Sequence, residues 1–412
     1  MKKNRNRDVW TTRITSAAAF VLLCLVGSLL PAKAQEDYAP QGVAKGSFRA
    51  FPMLYSGIFY DDNVFRTSSG PISDYIYNFG GALAVQSNWN NHALNFTAAA
   101  DRFQFDKFTE ESRTEWSVGA DTRLDIRRGE SFTAAASYAT RYEPRNSANT
   151  PSSAASPIEY RALHAEAVLG YRPARVGFEI GANYDRYDYD NVRLIGGGLL
   201  NNQDRDMRIA SVWSKAAYEF SPGYAAFARL TYNSRDFEQR LDRFGVNRDS
   251  NGYAVEAGVD MRVTALISGN FYGGWFQQNY RAPLADISGF NFGAALTWSP
   301  TQLLTVKLNA ARRLVDTTVP GASASNETSV VLGADFSITR DILLFGALDY
   351  VEASFSGTNR DDETVIFAAG LRYRMNRYMS AEARYTYQTR ESSELGAGFD
   401  ANSFMALLNF HL

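Results

Sequence analysis

The sequence predicts an all-β protein, a single antiparallel transmembrane barrel of about 18 strands (16–18), on three observations. Apolar and polar residues alternate over runs of 12 to 14 residues, turn signals recur about every 40 residues, and beyond the N-terminus no apolar stretch reaches the ~18 residues of a spanning helix. If the chain crosses a membrane, it crosses as strands.

The N-terminus carries Lys2, Lys3, Arg5, Arg7 and Arg13, then an apolar run over 17–30, then Pro31, Ala32, Lys33 and Ala34 before Gln35. That order is expected of a secretory signal peptide, residues 1–34, cleaved after Ala34. The apolar run is too short for a spanning helix, which needs about 20 residues. Cys24, the only cysteine, lies inside it and lacks the small preceding residue of a lipid-modified cysteine. The mature chain is then expected to have no thiol, so neither disulfides nor cysteine-bound metal stabilise it. Residues 35–46 read as a short periplasmic N-terminal extension and 47–412 as the barrel. Without its first 34 residues the chain holds 36 basic and 43 acidic residues, a net charge near −7, which implies no nucleic-acid partner.

Neighbouring side chains of a strand point to opposite faces, so each strand is read from alternation. Trp116, Val118, Ala120, Thr122, Leu124 and Ile126 stand against Glu115, Ser117, Gly119, Asp121, Arg123 and Asp125. The same division separates Val176, Phe178, Ile180, Ala182 and Tyr184 from Glu179, Asn183 and Asp185. It recurs in 253–262, 365–374 and 379–388. One face suits hydrocarbon and the other water. Compact turns at 88–91, 127–130, 172–174, 221–223, 263–266, 299–302, 339–341 and 375–377 join the runs, and longer polar connections such as 144–157, 188–206, 237–251 and 392–401 separate them. Short turns at one end and long loops at the other match the two ends of an outer-membrane barrel. The segments 62–73 and 281–286 are ambiguous between strand and loop.

Lipid offers no water to the backbone, so a spanning sheet must close. Phe404, Ala406, Leu408, Phe410 and Leu412 alternate to the last residue, as in the C-terminal strand signal read by the barrel assembly machinery, although that signal usually ends in Phe. Tyr138, Tyr171, Tyr184, Tyr218, Tyr232, Trp298, Tyr350, Tyr373 and Tyr387 sit near strand ends, where interfacial girdles place aromatic rings. A soluble sandwich or propeller also alternates, but its strands are shorter, about 5 to 6 residues.

Catalytic signals are sparse. The three histidines are His92 beside a short turn, His164 facing the lumen beside Glu166, and His411 in the final strand, and no Gly-x-Ser-x-Gly or His-Glu-x-x-His pattern accompanies them. A hydrated wall residue is the expected role of His164, and no enzyme activity, cofactor or metal is expected. The triplet Asp61, Asp62 and Asn63 offers oxygens for calcium, but such acidic turns more often hydrogen-bond their own backbone.

The stretch Tyr60, Asp61, Asp62, Asn63, Val64, Phe65, Arg66, Thr67, directly after the first strand, resembles the opening of the putative β-barrel porin 2 family of outer-membrane proteins. The resemblance implies a large barrel, often associated with exopolysaccharide export, serving as a passive conduit beside a periplasmic polysaccharide export protein. The motif carries no catalytic residue.

The lumen is where selectivity is expected, because its side chains set the pore's diameter and field. Inward positions include Asp121, Arg123, Glu179, Asp185, Lys215, Glu219, Arg229, Glu256, Asp260, Arg262, Lys307, Asp335, Asp349, Arg372, Arg374, Glu382 and Arg384. Their mixed signs predict a hydrated, weakly selective passage, with cross-strand charge pairing as an equally good reading. Arg372, Arg374, Arg384 and Arg390 are expected to form the main basic cluster on the last strand pair. Phe103, Phe105, Tyr272, Phe276 and Tyr280 are read as inward rings that either stack on sugars or pack beneath loops. The segment 193–203, with Ile195, three glycines and Leu199-Leu200, is apolar enough to fold inward as a constriction. The expected function is a channel in the outer-membrane lipid for polar solutes, with a plugged adhesive barrel as the alternative and a barrel-embedded hydrolase behind both.

Overall fold

The computed structural model describes residues 40–262 and 266–412. The signal segment, Cys24, residues 35–39 and three residues of the 263–266 turn lie outside the described residues.

Among these, 18 strands form one antiparallel ring: β1 (Phe48–Asp61), β2 (Asp74–Ser87), β3 (Ala93–Phe105), β4 (Arg113–Arg127), β5 (Glu130–Tyr142), β6 (Glu159–Tyr171), β7 (Val176–Tyr189), β8 (Met207–Ser221), β9 (Tyr224–Phe237), β10 (Ser250–Met261), β11 (Ile267–Tyr280), β12 (Ile287–Trp298), β13 (Leu304–Val315), β14 (Ser325–Ser337), β15 (Ile342–Phe355), β16 (Asp361–Asn376), β17 (Met379–Ser392) and β18 (Phe399–His411). Each pairs with its chain neighbours, and β1 pairs with β18 from Met53 opposite His411 to Asp61 opposite Ser403. Closure leaves no unpaired edge, which is what hydrocarbon demands of a sheet. The segments 62–73 and 281–286 are loops on the long-loop side. At a strand spacing near 4.8 Å and a tilt of about 40°, 18 strands make a ring about 35 Å across between backbones.

A three-residue strand, Val43–Lys45, folds back on the start of β1, and the Gly42 amide donates to the Leu412 carbonyl at 3.1 Å. Gly42 has a φ of +65°, and a Cβ there would meet the Ala50 carbonyl at 2.7 Å, so this junction needs glycine.

The period of two in the sequence becomes the two faces of the wall. Leu54, Phe79, Trp116, Phe178, Leu230, Trp275, Leu348 and Phe404 are exposed on the outside, and their strand neighbours point inward. A register slip of one residue would turn this apolar band into the lumen, so burial of one face in lipid fixes the pairing. The nine ring-bearing residues near strand ends all share the outer face by parity. Tyr138, Tyr184, Tyr232, Tyr350 and Tyr387 form a belt toward the long loops, and Tyr171, Tyr218, Trp298 and Tyr373 one toward the short turns. The buried apolar clusters lie at the long-loop end: Ala154, Ile158 and Val192 in one, Ala322, Ala353 and Phe355 in the other.

Candidate functional site

The Tyr60–Thr67 motif clasps the seam of the ring. Asp61 accepts the Asn63 amide at 2.9 Å and both guanidinium ends of Arg66 at 2.8 Å. Asn63, 1% exposed, donates to the carbonyls of Thr67 and Asp400 at 2.8 Å. Asp62 holds Asn402 on β18 through its amide and side chain, both at 2.7 Å. The triplet is therefore a turn whose oxygens already have donors, with an arginine where a cation would sit. Phe65 packs edge-on against Phe108 and lies under Arg145, and that contact ties the motif to the mouth.

The mouth at the long-loop end is bridged. The β5–β6 loop, residues 143–158, and the β13–β14 loop, residues 316–324, rise eight strands apart in a ring of 18, and they meet. Asn149 accepts from the Thr317 hydroxyl at 2.9 Å, the Thr318 amide at 2.8 Å and the Thr318 hydroxyl at 3.2 Å. Ala148 packs on Ala322, Ala353 and Phe355, and the Asn146 carbonyl accepts from Arg390 on β17. From the other side Arg235 on β9 binds the Asp316 carboxylate at 2.8 Å, and Arg248 donates to the carbonyls of Thr317 at 2.7 Å and Ala322 at 3.0 Å.

Buried ion pairs hold the root of this strap. Glu143 takes both guanidinium ends of Arg205 and also the Thr150 hydroxyl at 3.1 Å. Arg145 is clamped by Glu111 and donates to the Ala154 carbonyl at 2.8 Å. Burial alone would push the Arg205 guanidinium down, but Glu143 beside it outweighs burial and holds it up. Next to it, burial pushes the Asp204 carboxyl up, and the bonds it accepts from Arg243 at 2.7 Å more than reverse this, leaving it below the usual carboxylate range.

The tip of the segment 193–203 stands in solvent and packs on no opposite wall. Ile195 is 70% and Leu199 62% exposed, the three glycines between them stand in open space, and the hairpin Val192–Arg193 with Leu199–Leu200 braces the strap through the Ile195 amide, which donates to the Ser153 carbonyl. Its apolar composition suggested an inward fold, but this hairpin has few side-chain donors to satisfy a backbone crossing a polar lumen. Asn149 and its threonine partners do that for the strap. Nothing in the alternation of the strands marks Glu111, Glu143, Arg145, Asn149, Arg205, Arg235 and Asp316 as the residues that bridge the mouth. The nearest signal was an unusual loop length with three prolines in 144–157.

Along the inner wall most charges meet a partner one or two strands away or within two positions on the same strand. Asp121 accepts from Asn95 at 2.8 Å, Arg123 pairs with Asp125 at 2.9 Å, Lys215 with Asp260 at 2.7 Å, Arg229 with Glu256, and Lys307 with Asp335 at 3.4 Å. Glu179 stands opposite Lys215 in register, and Glu219 pairs with Arg172. Arg262 lies one residue past β10, in the short turn. One carboxylate oxygen of Asp349 is buried without a partner. Arg372 and Arg384 share Glu382 at 2.7 and 2.6 Å, with Arg374 beside them. Arg390 is not part of that cluster: it points into the long-loop end, where it serves the Ala397 and Asn146 carbonyls, and the cluster lies on β16 and β17 rather than on the last strand pair. Phe103 and Phe105 lie under Arg113, and Tyr272 under Arg229, so those rings are occupied by guanidinium groups. Phe276 and Tyr280 share the inner parity of β11 with Tyr272.

His164 on β6 receives Asp185 on β7 at 2.7 Å through Nδ1, and Ser137 on β5 stands opposite it in register. Nε2 makes no hydrogen bond, and the backbone amides around the serine are committed to the ladder. His92 accepts the Asp125 amide at 3.2 Å beside the first short turn. Asp188, Asp206 and Glu238 converge at the outer rim, where Arg186 pairs with Asp188 and Glu238, and Arg208 with Glu238.

The family described as putative beta-barrel porin 2 matches residues 36–412. No curated protein matches the sequence. Among solved structures the chain is similar to the outer membrane protein OpdK from Pseudomonas aeruginosa, with 12% identity over 88% of this chain and 99% of that one and a TM-score of 0.44. It is also similar to OccAB4 from Acinetobacter baumannii, with 10% identity, 89% and 98% covered and a TM-score of 0.46. A ferric enterobactin receptor mutant from Pseudomonas aeruginosa gives 10% identity, 90% and 81% covered and a TM-score of 0.45.

Proposed function

Because this chain belongs to the putative beta-barrel porin 2 family, we propose that it forms a non-enzymatic channel in the bacterial outer membrane, passing polar solutes and, as its specific cargo, a secreted polysaccharide handed over by a periplasmic export protein. The observation that carries the reading is the division of the closed wall: an apolar outer band between two aromatic belts, and an inner face lined by paired charges. A ring of 16 to 18 strands is wide enough to keep an aqueous lumen. The short turns then face the periplasm and the long loops the exterior. In planar bilayers the purified barrel should give stepwise conductance, and a cell lacking it should retain polysaccharide in the periplasm. Silent bilayers with both the intact barrel and a variant without residues 145–156 would overturn the channel. A normal level of secreted polysaccharide would overturn the cargo alone.

The bridged mouth supports a second reading, a closed barrel whose loops bind an external partner. It predicts that the loop-deleted variant conducts and the intact one does not.

A further inference from the structure

The inner wall at the short-turn end of β16 and β17 carries more positive than negative charge, which sets it apart from the rest of the lumen. Arg372, Arg374 and Arg384 face inward there with one carboxylate, Glu382, whose side chain is 1% exposed and already accepts from both Arg372 and Arg384. Phe345 lies under Arg372 and Arg384 at 6.0 and 5.4 Å. Arg374 makes no ion pair or side-chain hydrogen bond among the described residues, and its charged neighbour is Arg372. The cross-strand position opposite it is Ser380, a neutral residue. His411, at the closing strand, faces the same two arginines. Asp341 in the nearby turn is bound by Thr339 at 2.7 Å. The Nε of Arg384 is buried and unpartnered.

Like charges gathered on one patch of wall repel one another unless a counter-charge joins them. Guanidinium forks favour planar oxyanions, which they grip through two parallel hydrogen bonds. Elsewhere in the lumen Arg229 and Lys215, which could do this, are already neutralised by Glu256 and Asp260 on β10.

We propose that Arg374, with Arg372 and Arg384, forms an anion site at the short-turn mouth that takes a carboxylate- or phosphate-bearing solute as it enters the lumen. The site rests on the channel reading for its role in passage, though not for its ability to bind. The charge on a transported chain would then be acidic, carried by uronate-type carboxylates or by phosphate substituents.

Titration calorimetry of the detergent-solubilised full barrel with citrate and, separately, with pyrophosphate tests the site and distinguishes the two oxyanions. Saturable binding of at least one is expected. Arg374→Gln should weaken it about tenfold, and Ser380→Asp, which supplies the missing partner directly across from Arg374, should abolish it. Resistance to unfolding in detergent on heating, the same for all three proteins, verifies that the variants fold. Absence of saturable binding to the intact barrel, or binding unchanged in both folded variants, overturns the site. Binding that is lost in the variants while bilayers stay silent keeps the site and overturns the channel. Conductance without binding does the reverse.

Discussion

The two longest excursions on the β5 to β8 side of the barrel behave in opposite ways. The 193–203 hairpin is the more apolar and stands in solvent, whereas the 143–158 loop is the more polar and crosses the lumen, with Glu143, Thr150, Ala154 and Ile158 buried. The difference teaches that entry into a polar pore is decided by hydrogen-bond satisfaction rather than by hydrophobicity. A backbone leaving the wall must find donors and acceptors at its destination. Asn149 finds three donors on the opposite loop, and Arg145 and Arg205 find buried carboxylates at the root.

Replacing 145–156 by a short flexible turn should raise single-channel conductance several-fold, while trimming 194–199 should leave it unchanged. Equal currents from the two deletions would erase the contrast. Glu143→Gln removes one half of a buried ion pair and leaves Arg205 uncompensated, a change that costs about 3 kcal/mol. Hydrogen exchange in 143–158 should accelerate sharply and that of the strands should not. Asn149→Ala removes the latch alone and costs about 1–2 kcal/mol, which should appear as current flicker with the strap still anchored. A steady current would show that Ala148 and Arg390 suffice.

The smallest effect is expected from acid. Asp204 has a lowered carboxyl pKa in the folded protein, so its contribution is present above the unfolded value, about 3.9, and is lost as pH falls through the folded one. Proteolysis of the 202–206 region by an acid-active protease should therefore rise below the usual carboxylate range, and Asp204→Asn should remove that pH dependence.

The seam motif was legible as a turn but not as a clasp. Asp61, Asn63 and Arg66 are close in sequence, so their mutual bonds follow from a local pattern, whereas the bonds to Asp400 and Asn402 span more than 300 residues. The same holds for Arg390, whose strand and face were readable and whose partner, Asn146, was not.

Alternation with a period of two, through its coupling to lipid on one side and water on the other, was enough to determine the strands, their faces, the girdles and the closure, because each depends on near neighbours and one solvent boundary. Which loops meet across the lumen, and which of several inward arginines is left without a counter-charge, was decided only in three dimensions. Those outcomes depend on which residues the ring carries to the same height on distant strands, and the sequence holds no local trace of that.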